Sequence, residues 1–385
     1  MEKDTTRRRL LQGLAASAFG SIAGCTARSS GDWSGTPTGS NSQNNSTGTE
    51  SSSYSVSIAP VGKVKFEEVP TKWLASSSTW ADMGIALGRN PPEGVWNRGF
   101  YYTQQYYDEI PGVSVDENEM VELGNAGSTE VFHEIGADLH VMDPISIVNR
   151  SKSFERPDIE RVKKNVAPFF GNFIDSYDHS WHDYRYYTLY EAFGKLAEVF
   201  QQQHRYEAFA KLHEEVQQTI EANLPSKGER PSVAIMLPVG DKPEKFWPHT
   251  IDKGTNSKQW RDLKVYDALA QAGIQDYYAT GGSTQIDYET LLEIDPEVIM
   301  MRTYEDYSAK KFQNTVVEFM KNHPVGSKLQ AVNNGQVFRG GPFYQGPIVN
   351  LVLTERAANQ LYPDAFSGVQ LYDPQRVSDI VHGRF

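Results

Sequence analysis

Cysteine is almost absent. The 385 residues hold one, Cys25, so no internal disulfide can staple the chain. Basic residues are outnumbered: 37 Lys and Arg face 49 Asp and Glu, for a net charge of -12. An acidic chain without a basic stripe is a poor binder of nucleic acid. Several motifs of chemistry are missing as well. There is no HExxH, no CxxC and no nucleophile-elbow glycine pattern, and "TGGSTQ" at 280–285 lacks the lysine of a phosphate-cradling loop. A paired-carboxylate hydrolase has no such signature, so an extracellular hydrolase stays a rival reading.

Long apolar runs are scarce, and the one at the N-terminus is short. Arg7, Arg8 and Arg9 precede an apolar stretch from Leu10 to Ala23, the charged-then-apolar build of an export signal, too short to span a bilayer. "TRRRLLQ" resembles a twin-arginine signal. "IAGC" resembles a lipobox, in which Cys25 becomes the lipidated first residue. Residues 26–53 are rich in Ser, Gly, Thr and Asn and read as a flexible tether. Signal, anchor and tether predict an exported protein on the outer face of the cytoplasmic membrane.

The body contains a repeat. "TEVFHEIGADLHVM" (129–142) and "YETLLEIDPEVIMM" (288–301) align without gaps at an offset of 159. Each reads as an amphipathic helix, a turn and a buried strand. "KWLASSS" from Lys72 and "SVAIMLP" from Ser232 read as earlier strands, and a further strand falls near Pro92–Val95. "ADMGIALG" (81–88) and "YDALAQAG" (266–273) read as paired helices ending at glycine. This alternation predicts an α/β fold: two similar lobes with mainly parallel sheets. Residues 54–200 form the first lobe and 226–385 the second, with a terminal helix. A helix over 201–225, with an apolar stripe of Tyr206, Phe209, Leu212, Val216 and Ile220, joins them.

These segments, with "ERPSVAIML", "VYDALAQAGI" and "NNGQVFRGG", resemble the substrate-binding proteins of ABC importers for ferric siderophores, haem and cobalamin. The resemblance covers most of residues 60–365. It implies two stiff lobes joined by one helix, a ligand in the cleft between them, no catalytic residues and no cofactor. It also implies one glutamate per lobe that docks on the permease: by position, Glu130 and Glu289. The residues agree with that placement. Each acid falls in the first turn of its helix, where the positive helix end favours a carboxylate, with Ser128 or Thr129 and Asp287 as N-caps. The expected partners are a ferric siderophore or similar chelate, an ABC permease with its ATPase and the membrane, for a monomeric protein.

Loops leaving strand ends in such sheets line the cleft. "WNRGFYYTQQYYDE" (96–109) supplies one Trp, one Phe, four Tyr and an Arg there. Tyrosine offers a flat apolar body with a hydroxyl tip, and arginine a fork of donors for anionic oxygens. The expected ligand contacts are Trp96, Arg98, Tyr101, Tyr102, Phe246, Trp247, Arg302, Arg339 and Tyr344. Further candidates are Tyr177, Trp181, Tyr184, His249, Tyr304 and Phe343. Arginines in the cleft favour an anionic ferric siderophore over haem or cobalamin. A bare metal ion, held at His179 and His182 with Asp178 and Asp183, is a weaker reading. His133 and His140 fall on the repeated helix and strand and point to structural roles.

Overall fold

The structure is a computed structural model and describes residues 53–101, 104–124, 128–177 and 179–385. Cys25, the signal, the tether, Tyr102 and Asp178 lie outside the described residues.

Eleven strands are described. An antiparallel hairpin, β1 (Tyr54–Ile58) and β2 (Gly62–Phe66), precedes the first sheet. That sheet holds β3 (Trp73–Ala75), β4 (Gly94–Val95), β5 (Val121–Glu122) and β6 (Leu139–Val141), all parallel, in the order β5-β4-β3-β6. The second holds β7 (Ser232–Pro238), β8 (Phe246–His249), β9 (Tyr266–Asp267), β10 (Val298–Met301) and β11 (Val337–Arg339). Its order is β11-β10-β7-β8. β9 runs parallel to the start of β7, and β8 antiparallel to its later residues. Strands covered on both faces are buried along their whole length: every residue of β3, β6 and β10 is buried.

The repeat is visible in the registers. Trp73 pairs with Leu139 in the first sheet, and Val233 with Val298 in the second. The helix Glu130–Ile135 ends at Gly136 in the left-handed region, φ 60°. Its counterpart Tyr288–Ile294 ends in the same way at Asp295, φ 43°.

One expected pairing is corrected. Residues 266–273 are not a single helix. Tyr266 and Asp267 are strand, and Asp267 caps a short helix, Ala268–Gln271, by accepting from the Ala270 N–H at 2.9 Å. The helix that leads back from β7 to β9 is Lys258–Asp262. It is the counterpart of Ser78–Ala86, with "WRDL" (260–263) matching "WADM" (80–83). Trp80 and Trp260 are both fully buried.

Between the sheets run the helices Leu189–Phe200 and Gln203–Asn223, separated by Gln201 at φ 52°. The second has 21 residues, or roughly 30 Å at 1.5 Å each. Phe209, Leu212, Val216 and Ile220 bury its apolar stripe. His213, at the edge of that stripe, stacks on Tyr190 and meets Lys258 Nζ at 2.9 Å.

Residues 51–385 form one compact unit, and its main apolar core is continuous from Trp73 and Phe193 to Trp260 and Ile348. Buried polar contacts also cross between the halves. Asp82 Oδ2 accepts from the N–H groups of Ile348 and Val349, which open the helix Pro347–Leu361, and Tyr107 donates to Asp82 Oδ1 at 2.7 Å. Gly346 makes this approach possible: a Cβ there would stand 2.4 Å from Asp82 Oδ2. Similarly, Asp175 Oδ1 accepts from Thr79 at 2.6 Å and Thr255 at 3.3 Å, while the N–H of Asn256 bonds the Asp175 carbonyl.

Candidate ligand cleft

Parallel sheets present their ligand-binding loops at the carboxyl ends of the strands. Such ends from both halves surround a cavity of about 440 Å³, within the range of small-molecule sites. The first half contributes Asn97 and Phe100, just beyond β4, and Arg150, at the end of the helix Pro144–Arg150. Leu237 and Pro238 close β7, Trp247 sits on β8, Thr303 follows β10, and Phe343 and Tyr344 follow β11. Tyr277 and Tyr278 complete the wall.

The wall is built around Phe343. Its ring meets Phe100 of the first half edge-on at 6.3 Å and Tyr278 at 6.3 Å. Behind it, the Arg302 guanidinium lies 4.6 Å from the ring centre. Tyr277 and Tyr278 pack at 4.0 Å. The loop at 276–278 is held by Asp276, whose Oδ1 accepts from the Tyr278 N–H and whose Oδ2 accepts from the Thr250 N–H and meets His249 Nδ1 at 3.1 Å. Burial alone would raise the Asp276 carboxyl, but His249 and these amides hold it below the usual carboxylate range.

Arg150 is the cation of this cavity. Its guanidinium lies 4.6 Å over the Phe173 ring, with Tyr344 and Tyr278 beside it. Solvent still reaches the side chain. The cleft therefore offers flat aromatic faces, phenolic hydroxyls and one forked donor that is always charged.

Of the expected contacts, Trp247 and Tyr344 line this cavity. Phe246 does not: it is fully buried and stands edge-on to Tyr288 at 5.2 Å. The reason is parity, since successive residues of a strand face opposite sides, and β8 turns Phe246 into the core and Trp247 into the cleft. Arg302 is fully buried, donating to the carbonyls of Asn256 and Pro342, and burial brings its guanidinium down to about 10. Arg339 is tied to the Tyr307 carbonyl. Arg98 donates to the Met120 carbonyl at 3.0 Å, and Trp96 packs on Phe154 at 5.6 Å inside the first half. Tyr101 lines a different hollow, of about 350 Å³, with Asp116, Glu117, Glu305 and Asp306.

Arg150, Tyr277 and Tyr278 are the residues that sequence reasoning missed. Arg150 ends a helix begun by the Asp143–Pro144 cap, and Tyr277–Tyr278 is a tyrosine doublet as conspicuous as those at 101–102 and 106–107.

Trp181 and His179 stack at 5.0 Å, and His179 meets Tyr278 at 6.0 Å. His182 packs between Tyr184 and Tyr186 at 3.9 and 3.7 Å, and burial lowers its imidazole to about 4. No group of three or more His, Cys, Asp or Glu placed to hold a metal ion is found among the described residues. His140 is buried against Phe132 and Phe169. No helix among the described residues is long and apolar enough to cross a membrane.

Glu130 and Glu289 open the paired helices Glu130–Ile135 and Tyr288–Ile294, and both are exposed. Asp287 caps the second by accepting from the Thr290 N–H at 3.0 Å. Ser128 Oγ accepts from the Glu130 N–H at 3.3 Å.

The family profile described as periplasmic binding protein matches residues 154–343. Solved structures share the fold at low identity. Helicobacter pylori CeuE, in a nickel–histidine complex, is 15% identical, with a TM-score of 0.56 over 86% of this chain and 95% of that one. Staphylococcus aureus SirA, complexed with staphyloferrin B, is 14% identical, with a TM-score of 0.52 over 80% and 98%. A component of a ferrichrome-type ABC transporter from Bacillus subtilis is 18% identical, with a TM-score of 0.50 over 76% and 98%. No curated protein matches the sequence. Residues 154–343 are thus similar to the periplasmic binding proteins, and the fold is shared with a solved binding-protein component of an ABC transporter.

Proposed function

We propose that this protein captures an anionic ferric siderophore in the cleft and delivers it to an ABC permease. One observation carries the reading: Arg150 stands in a cavity walled by Trp247, Tyr277, Tyr278, Phe343 and Tyr344. A ferric chelate with carboxylate or catecholate oxygens is bulky, flat-sided and negative. Aromatic faces take its body, and a guanidinium fork takes its oxygens. The complex of SirA with staphyloferrin B supports a chelate as cargo. In this reading residues 54–200 and 226–385 are the two lobes, 201–225 joins them, and Cys25 carries a lipid that keeps the protein at the outer face of the cytoplasmic membrane. Glu130 and Glu289, one per lobe, pair with arginines of the permease.

The test is a tryptophan-fluorescence titration against ferric citrate, a ferric tris-catecholate, a ferric trihydroxamate, haem and cobalamin. Saturable quenching by an anionic chelate is expected, with affinity reduced about tenfold or more by Arg150→Ala, the scale of a lost charged hydrogen bond. Preference for haem or cobalamin, or binding indifferent to Arg150→Ala, would overturn the siderophore assignment.

A further inference from the structure

Five non-glycine residues have positive φ among those described: Asn97, Gln201, Lys264, Asp295 and Thr303. Three are at helix ends. Gln201 and Asp295 are C-caps, and Lys264 directly follows the C-cap Leu263, where a left-handed residue is the ordinary way to finish a helix. Asn97 (φ 59°) and Thr303 (φ 72°) are different. Neither finishes a helix: Asn97 precedes the single turn Arg98–Phe100 and Thr303 follows β10; they belong to opposite halves, and both line the cleft. For a β-branched residue such as Thr303 this conformation is a true outlier.

Each is forced into place by its surroundings. Glu122 holds the first: Oε1 accepts from the N–H groups of Asn97 and Gly124, and Oε2 from that of Arg98. Thr303 is fixed by the residues on either side. The Arg302 N–H bonds the Met236 carbonyl at 2.9 Å and its side chain is buried, while Tyr304 donates to the Gly240 carbonyl at 2.7 Å. Strain held this way clusters at ligand clamps. Both residues also keep donors unused. Among the described residues, neither the Asn97 side-chain amide nor the Thr303 N–H makes a hydrogen bond.

We infer that Asn97 and Thr303 form a two-sided polar clamp that orders an anionic ligand's oxygens across the seam between the halves and so sets ligand specificity. The inference rests on the reading of this cleft as a chelate site and adds residues that the arginine and the aromatics do not account for. The left-handed backbone turns each residue out of its strand or loop direction and toward the cavity. The strain is retained because it fixes the donors before the ligand arrives, which lowers the ordering cost of binding.

The experiment compares Asn97→Gly, Thr303→Gly and Asn97→Asp with Gln201→Gly as control, measuring Tm and Kd for whichever ferric chelate of the panel above the wild type binds tightest. Glycine accepts positive φ without strain, so all three glycine variants should melt about 1–3 °C higher. Asn97→Gly, which removes the side-chain amide, should bind about tenfold more weakly; Thr303→Gly keeps its N–H but frees the backbone that aims it and should bind about threefold more weakly, whereas Gln201→Gly should bind as the wild type does. Asn97→Asp keeps the backbone shape but faces the ligand with a negative charge, and should lose more affinity than Asn97→Gly. Unchanged affinity in both cleft variants, or a lowered Tm in either, overturns the clamp while leaving the chelate site standing. A wild type that binds no chelate overturns the function reading, and the clamp with it.

Discussion

Asp138 and Glu297, 159 positions apart, hold the entry of the central strand of each sheet. Asp138 Oδ2 accepts from the N–H groups of Thr71 and Lys72 at 3.0 and 2.9 Å, just before β3. Glu297 Oε2 accepts from the Ser232 N–H at 2.7 Å, at the first residue of β7. Each carboxylate thus ties the turn before one strand to the start of its neighbour.

Asp138→Ala and Glu297→Ala should each cost about 1–2 kcal/mol, the worth of charge-assisted hydrogen bonds at a partly exposed site, and the two costs should add. Burial would raise the Asp138 carboxyl, but the amides of Lys72 and Thr71 outweigh it and hold it below its ordinary value. A depressed carboxyl stabilises the fold above its unfolded pKa and loses that contribution in acid. Urea unfolding should therefore show Asp138→Asn weaker than wild type at pH 7, with the gap narrowing as pH falls below about 4. A gap unchanged by pH would contradict this role.

Asp82 predicts the opposite slope. Burial pushes its carboxyl up to about 7, against the pull of Tyr107, Val349 and Ile348. Between its unfolded value near 4 and about 7, the folded chain holds more protons than the unfolded one, so wild-type stability falls as pH rises through that window. The amide introduced by Asp82→Asn cannot titrate. The Tm of Asp82→Asn relative to wild type should become more favourable from pH 4 to pH 7, and a difference that stays flat would show that Asp82 does not titrate there.

Glu130 and Glu289 are exposed and open matched helices. Reversing both to Arg should leave Tm within about 1 °C and ligand affinity unchanged, because neither lines the cleft. Uptake of iron chelate by cells should then fall to background. Uptake that persists in the double reversal removes the docking role.

The doubled architecture was legible because its marks lie in short contiguous segments: apolar strand, acid, and left-handed helix end recur at one spacing. The counterpart of Ser78–Ala86 was not. An added antiparallel strand, β8, lies between β7 and its helix, so the match to "WADM" fell outside the expected window, and "YDALAQAG" stood in its place. The same strand explains the site residues. Read as a loop, 246–249 has no parity, and only the pairing of Trp247 with Leu237 and Phe246 with Pro238 decides which ring faces the cleft. Burial of Arg302 depends on carbonyls of Asn256 and Pro342, far away in sequence. Such long-range partners leave no local pattern.

The bond from Ile348 to Asp82 spans 266 positions, and that separation bears on synthesis. A ribosome that has released only the first sheet has released an aspartate whose amide partners are not yet synthesised, and an apolar core still open on one side. Contacts this distant close late and slowly. The native pairing of Asp82 must therefore wait for the chain's last tenth.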